Sequence, residues 1–153
     1  GMFGYYLLNS GYVNFEVPLL KLNEFGSSFF DKPSPANWIK ENQILIYKDK
    51  IVILIPNATV STYANTNSMV PTFDYTANGI EIVPPSKEYI HVGDIIAFNP
   101  NPKSNVMIVH RVSEIGNDEQ GWFCITKGDN TRLDDGHKIR FNQIKYVTIA
   151  ILY

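Results

Sequence analysis

Apolar and polar positions along this chain fall into short blocks more often than into helical stripes. Residues 3–20 hold two apolar runs around Asn9-Ser10-Gly11, the pattern of two strands about a turn. "QILIYKDKIVILIP" (43–56) repeats that pattern, with the turn near Lys48-Asp49-Lys50. Further strands are predicted from Gly79 to Pro84 and over "GDIIAFNP" from Gly93. "NVMIVHRVSEI" (105–115) and "GWFCITKGDN" (121–130) read as antiparallel partners, joined by a turn at Asn117-Asp118-Glu119. "YVTIAILY" (146–153) reads as a last strand. One short helix is predicted over "SPANWIKEN" (34–42), with Ser34 as N-cap and Pro35 at the first helical position. Residues 57–79 are polar and turn-rich, because Asn, Thr, Ser and Pro favour turn geometry over ladders or helices.

Nine Tyr, nine Phe and many Ile and Val strengthen the β reading, so the expected fold is mainly β with one or two short helices. The apolar fraction of 44% against 18% charged describes a chain that buries a core, and 153 residues suit one domain. There is no repeat and no interdomain linker, so 1–153 is expected to be a single domain. Net charge is −2 with no basic block, which excludes the electrostatic footprint of a nucleic-acid binder. Cys124 is alone, so it closes no internal disulfide and builds no zinc site, and neither metal nor cofactor is expected. The first twenty residues lack the basic and continuous apolar regions of a secretory signal, and Gly1 ahead of Met2 marks Met2 as the expected natural start. The run Ile51-Val52-Ile53-Leu54-Ile55 is far short of the roughly 20 residues that cross a bilayer. A chain trimmed before a C-terminal anchor would look the same.

Four segments hold the candidate chemistry: "SMVPTF" (68–73), "VGDIIAF" (92–98), "VHRV" (109–112) and "TKGDNTRLDD" (126–135). A serine hydroxyl is a weak nucleophile until a base takes its proton, and imidazole is the usual base near neutral pH. A carboxylate then fixes the imidazole tautomer and stabilises the imidazolium that forms. Singly, each element also has an ordinary reading: Ser68 as a loop hydroxyl, His110 as a half-buried strand residue, "KGDN" and "GDII" as turns.

Taken together, the four segments resemble the signal peptidase I family, in its archaeal and endoplasmic-reticulum branch. That branch carries a Ser-Met-x-Pro box, a Gly-Asp strand, a His-Arg-Val box and a Thr-Lys-Gly-Asp-Asn box followed by another Asp, in this order. The bacterial branch has Lys where this chain has His110. The resemblance covers about residues 60–135, implying a peptidase-like core there with residues 1–56 as a β-rich extension packed on it. It implies a complex β-fold of twisted antiparallel sheets, with Ser68 as nucleophile and His110 as general base. Asp129 and Asp135 match the family's two acidic positions, and either is a candidate to orient His110; Asp134 is the alternative acid next to Asp135. Thr66 and the amide of Ser68 are the implied oxyanion donors, with Thr66 equally readable as a turn-capping hydroxyl.

The activity implied is that of a serine endopeptidase, cleaving an extended peptide or preprotein through an acyl-enzyme. The resemblance further implies membrane association, through a missing anchor or a partner, with an extracytoplasmic active site. Two departures stand beside it: no membrane anchor precedes the serine box, and Gly79 is followed by Ile80 where the family has Gly-Asp. A different class of function remains open, a catalytically inactive β-domain that binds or assembles. A third, a self-cleaving peptidase of the repressor type, needs a Lys at position 110.

Overall fold

A computed structural model describes residues 32–153. The strands expected within residues 3–20, and most of the 1–56 extension, lie outside the described residues. The described residues divide between two compact units: Ile39–Ile55 belong to one, and Lys32–Trp38 with Pro56–Tyr153 to the other.

In the first unit, strands β1 (Ile44–Ile46) and β2 (Ile51–Ile53) form an antiparallel hairpin, with Leu45 opposite Val52. The turn falls where the charged Lys48-Asp49-Lys50 interrupts the apolar run. The Gln43 side chain closes the open end by donating to Leu54 O at 2.8 Å.

The second unit is one six-stranded antiparallel sheet. Its strands are β3 (Thr59–Thr62), β4 (Asn78–Ile82), β5 (Ile95–Phe98), β6 (Ile108–Asp118), β7 (Gly121–Lys127) and β8 (Ile144–Leu152), in the spatial order β3-β4-β8-β5-β6-β7. The protein is thus mainly β, as its composition implies. Alternation of side chains across the sheet divides the core in two. Ile96, Phe98, Val112, Cys124 and Val147 join Ile90, Ile139 and Ile144 in one cluster; Ile95 joins Met69, Phe73 and Ala77 in the other. Strand β5 sits between the two clusters, so all four of its residues are buried and its sequence, IIAF, is continuously apolar. Cys124 is fully buried, and burial pushes its thiol up to about 12. Its backbone pairs with Ile139 on the outer side of β7, through N–H···O bonds of 2.9 and 2.8 Å.

Three predicted elements differ. Residues 34–42 form no α-helix; the only helical turn there is a 3-10 turn at Glu41–Gln43. Lys32 and Ser34 each precede a proline, which biases them to extended backbone. The fully buried Asp94 then holds this segment against the sheet: Oδ1 accepts from Ala36 N (2.9 Å) and Trp38 Nε1 (3.0 Å), and Oδ2 from His91 N (2.8 Å). The polar stretch 57–79 contains a strand, β3, whose burial pattern is mostly exposed; an edge strand of this kind needs no apolar periodicity. The β6–β7 turn lies at Glu119-Gln120, two residues later than predicted, where Gly121 supplies a φ of +96°.

Gly93 also has a positive φ, +102°, and a Cβ there would collide with Ser34 O. The segment 33–38 therefore crosses directly over the start of β5, held by Asp94. Asp94→Ala strips an acceptor from three N–H groups, two of them on that segment. Hydrogen bonds to charged groups contribute about 1.5–3 kcal/mol each, so a loss of about 3 kcal/mol or more is expected from urea denaturation. A denaturation midpoint equal to that of the native sequence would contradict this role.

Candidate active site

Neighbours on a strand point to opposite faces, and this decides the partners of "VHRV". Ile108 and Val112 pack in the first cluster, Val109 in the second, so His110 and Arg111 serve different faces. Arg111 lies opposite Ile95 on β5 and opposite Lys127 on β7. Its guanidinium meets Asp129 in two parallel bonds, Nε to Oδ1 at 2.8 Å and Nη2 to Oδ2 at 2.7 Å. Nη1 donates to Pro33 O (3.1 Å) and Gly93 O (2.9 Å), and Thr72 Oγ1 donates to Asp129 Oδ2.

His110 has a different carboxylate. Its Nδ1 lies 2.8 Å from Asp135 Oδ2 and 3.0 Å from Oδ1. A carboxylate only accepts, so Nδ1 carries a proton toward Asp135 and Nε2 faces away from it. Of the two acidic positions, Asp135 therefore reaches His110, while Asp129 is spent on Arg111. Asp134 reaches neither; its Oδ1 accepts from Gly136 N at 2.8 Å and closes a local turn. Burial alone would raise the Asp135 carboxyl. Hydrogen bonds from His110 and Thr126, with the charge of His110, outweigh burial and hold it below the ordinary carboxylate range. Asp129 behaves alike: burial raises it, but the Arg111 and Thr72 bonds bring it down.

Ser68 sits in the loop after β3, half-buried, one residue beyond Asn67, whose φ of +59° is the left-handed conformation that Asn tolerates. Thr66 Oγ1 lies 3.1 Å from Ser68 Oγ and accepts from Ser68 N at 3.4 Å. The two oxyanion candidates are thus adjacent. No hydrogen bond joins Ser68 Oγ to His110; what the two residues share is Gly128, which the Ser68 main-chain carbonyl and the His110 ring both crowd. A Cβ built on Gly128 would lie 2.7 Å from Ser68 O and 3.1 Å from His110 Nε2, so only glycine fits between them.

The residues after Gly128 tie this loop down. Asn130 N donates to Ser68 O (2.9 Å), and Asn130 Nδ2 donates to Asn67 O (3.0 Å). The sequence reads Asn130 only as a residue bonding local amides in the "KGDN" turn, and it singles out neither Thr72 nor Thr126. For Asn130 the signal was present, as its place in "KGDN" directly follows the acidic position; for Thr72 and Thr126 nothing local distinguished them.

Ser68, Thr66 and His110 open onto one cleft of about 550 Å3. Tyr63, Phe73 and Val109 line the cleft and also pack with Met69 and Ile95. The Tyr63 and Phe73 rings stack with centroids 4.0 Å apart. Burial raises the Tyr63 phenol above its ordinary value, so this wall stays neutral. Val106 and Met107, well exposed, form the rim on the β6 side. Among the described residues no cluster of His, Cys, Asp or Glu could hold a metal, and no helix is long and apolar enough to cross a membrane.

The ion pair sets an acid limit on stability. Asp129 has a folded pKa below its unfolded value of about 3.9, so its contribution is present above that pH and is lost as pH falls through the folded pKa. Urea midpoints of the native sequence are expected to fall below about pH 4. Asp129→Asn is expected to be less stable at neutral pH and to fall less steeply with acid. Parallel curves for the two proteins would exclude the ion pair as a source of the acid limit.

No family model, no curated protein and no solved structure matches this chain.

Proposed function

We propose that this protein is a serine endopeptidase of the signal-peptidase type, cleaving extended peptides through a Ser-His-Asp acyl-enzyme mechanism. The observation that carries this reading is the His110 Nδ1–Asp135 pair, 2.8 Å long, in the wall of a cleft that also holds Ser68 and Thr66. A carboxylate-bound imidazole with its second nitrogen free is the arrangement a general base needs. The cleft is bounded on one side by residues 62–64, continuing from the outer strand β3, and on the other by residues 106–109 leading into β6. An extended peptide laid between them finds main-chain partners on exposed backbone, as β-augmentation requires.

In this reading the Ser68 Oγ attacks the peptide carbonyl carbon as His110 Nε2 takes the hydroxyl proton. The carbonyl oxygen becomes an oxyanion, stabilised by Ser68 N–H and Thr66 Oγ1–H. Without substrate these two donors lie beside each other. Asp135 holds the imidazolium, which returns its proton to the leaving amine as the C–N bond breaks. Water activated by the same imidazole then hydrolyses the ester and restores Ser68.

A second reading is a β-domain that binds extended peptides without cleaving them. The observation favouring it is that Ser68 Oγ bonds to Thr66 rather than to His110. Substrate-free catalytic hydrogen bonds are often long and tighten on binding, so this geometry leaves the peptidase reading in place.

Peptides spanning small-residue presequence cleavage sites, followed by mass spectrometry, separate the two. Ser68→Ala and His110→Ala are each expected to lower kcat at least about a thousandfold while the fold is kept. Equal cleavage by wild type and Ser68→Ala would end the peptidase reading. Gly128→Ala, whose methyl would press on Ser68 O, is expected to lower kcat as well. A Gly128→Ala protein as active as wild type would show that the loop does not need this close approach.

A further inference from the structure

We propose that Thr126 is a positioning residue for the His110 imidazole, acting through Asp135; the proposal rests on the peptidase reading above. Asp135 ends a loop, 128–134, whose tip is open to solvent: Leu133 is 81% exposed. A loop carboxylate with two free torsions does not by itself hold a base in line. Thr126 supplies what the loop lacks. It is a fully buried residue on β7, opposite Val112 in the ladder. Its Oγ1 donates to Asp135 Oδ2 at 2.5 Å, and its carbonyl accepts from Asp135 N at 2.9 Å. Main chain and side chain of Asp135 are therefore both referred to one strand residue.

The oxygen that receives the Thr126 proton, Oδ2, is also the one nearer to His110 Nδ1. Two donors converge on a single oxygen and fix the rotation of the carboxylate about its own axis. Beyond His110, Thr126 is the only side chain donating to that carboxylate among the described residues. Its β-branched Cβ restricts χ1, so the strand's order passes to the hydroxyl. Burying a hydroxyl between Val112 and Cys124 is unfavourable unless it finds a partner, and Val would fill the same space without that cost. The hydroxyl at this core position is explained by Asp135, and through it by His110. The neighbouring His137, whose Nδ1 lies 2.5 Å from Asp135 O, braces the main chain of Asp135 and leaves its carboxylate to the other two.

The test compares Thr126→Val, which keeps shape and removes the donor, with Thr126→Ser, which keeps the donor. The His110 ring nitrogens are read by 15N NMR alongside peptide cleavage. Wild type and Thr126→Ser are expected to show a single Nδ1–H tautomer, and Thr126→Val a tautomeric average. Thr126→Val is expected to lose about 10- to 100-fold in kcat, the range typical of residues that orient an active group, with KM changed less than about twofold. Thr126→Ser is expected to stay within about threefold of wild type in both. Should Thr126→Val not fold, Thr126→Ala against Thr126→Ser makes the same comparison, because both lack the methyl and only one lacks the donor. A donorless variant that folds, keeps the Nδ1–H tautomer and keeps kcat overturns the proposal. If Ser68→Ala cleaves like wild type, it is the peptidase reading that fails, while the tautomer measurement still decides what Thr126 does to His110.

Discussion

The guanidinium of Arg111 is the joint on which the second unit is assembled. An arginine has five N–H donors in a rigid planar fork, and here each has an acceptor: two on Asp129, and one each on Pro33, Gly93 and Thr72. Those partners lie on four separate stretches: the crossing segment at 33–38, the entry to β5, the loop after Ser68 and the loop after β7. The group is 8% exposed, so losing any partner would leave a buried charge short of compensation. Removing one member of such a pair is strongly destabilising for that reason, even where the intact pair adds little over apolar packing. Lysine, with a point charge and three donors, would not join the same four stretches.

The candidate site inherits its geometry from that joint. Asp129, by meeting Arg111, sets where the chain turns after β7; Gly128 and Asn130 on either side of it then contact the Ser68 loop. The His110 pair is built on the opposite face of the same two strands. Two carboxylates six residues apart thus do different work because consecutive positions on β6 face opposite ways. One holds the backbone together and the other holds an imidazole.

Much of this was legible in the sequence, for identifiable reasons. Strands β4, β5, β6, β7 and β8 follow apolar runs whose composition is demanded by burial on one or both faces, and β1 and β2 follow an apolar run although no residue in either is buried. Strand β3 follows no such run, because an edge strand half open to water constrains few side chains. The helix expected at 34–42 has sound local signals, Ser34 and Pro35, but Asp94 lies 58 positions from Ala36 and its claim on that amide is visible only in three dimensions. The same limit applies at the site. The boxes around Ser68, His110 and Asp135 could be read in order. The choice between Asp129 and Asp135 needed the alternation of "VHRV" to be combined with the path of the loop that follows β7. Thr126 could not be singled out, since threonine is ordinary in a strand until its partner is known.

Cys124 has a use that its burial creates. A thiol pushed up to about 12 is almost wholly protonated near neutral pH, and thiolate is the form that reacts with alkylating or disulfide reagents. Such reagents therefore pass over the closed protein and mark Cys124 only when the Ile139 strap lifts from β7. Because Thr126 stands two residues from Cys124 on that strand, and the strap is the downstream end of the loop carrying Asp135, labelling rates count the local openings that would let go of the carboxylate. The chain thus carries its own reporter position for the order of its candidate site, with no residue introduced to serve as one.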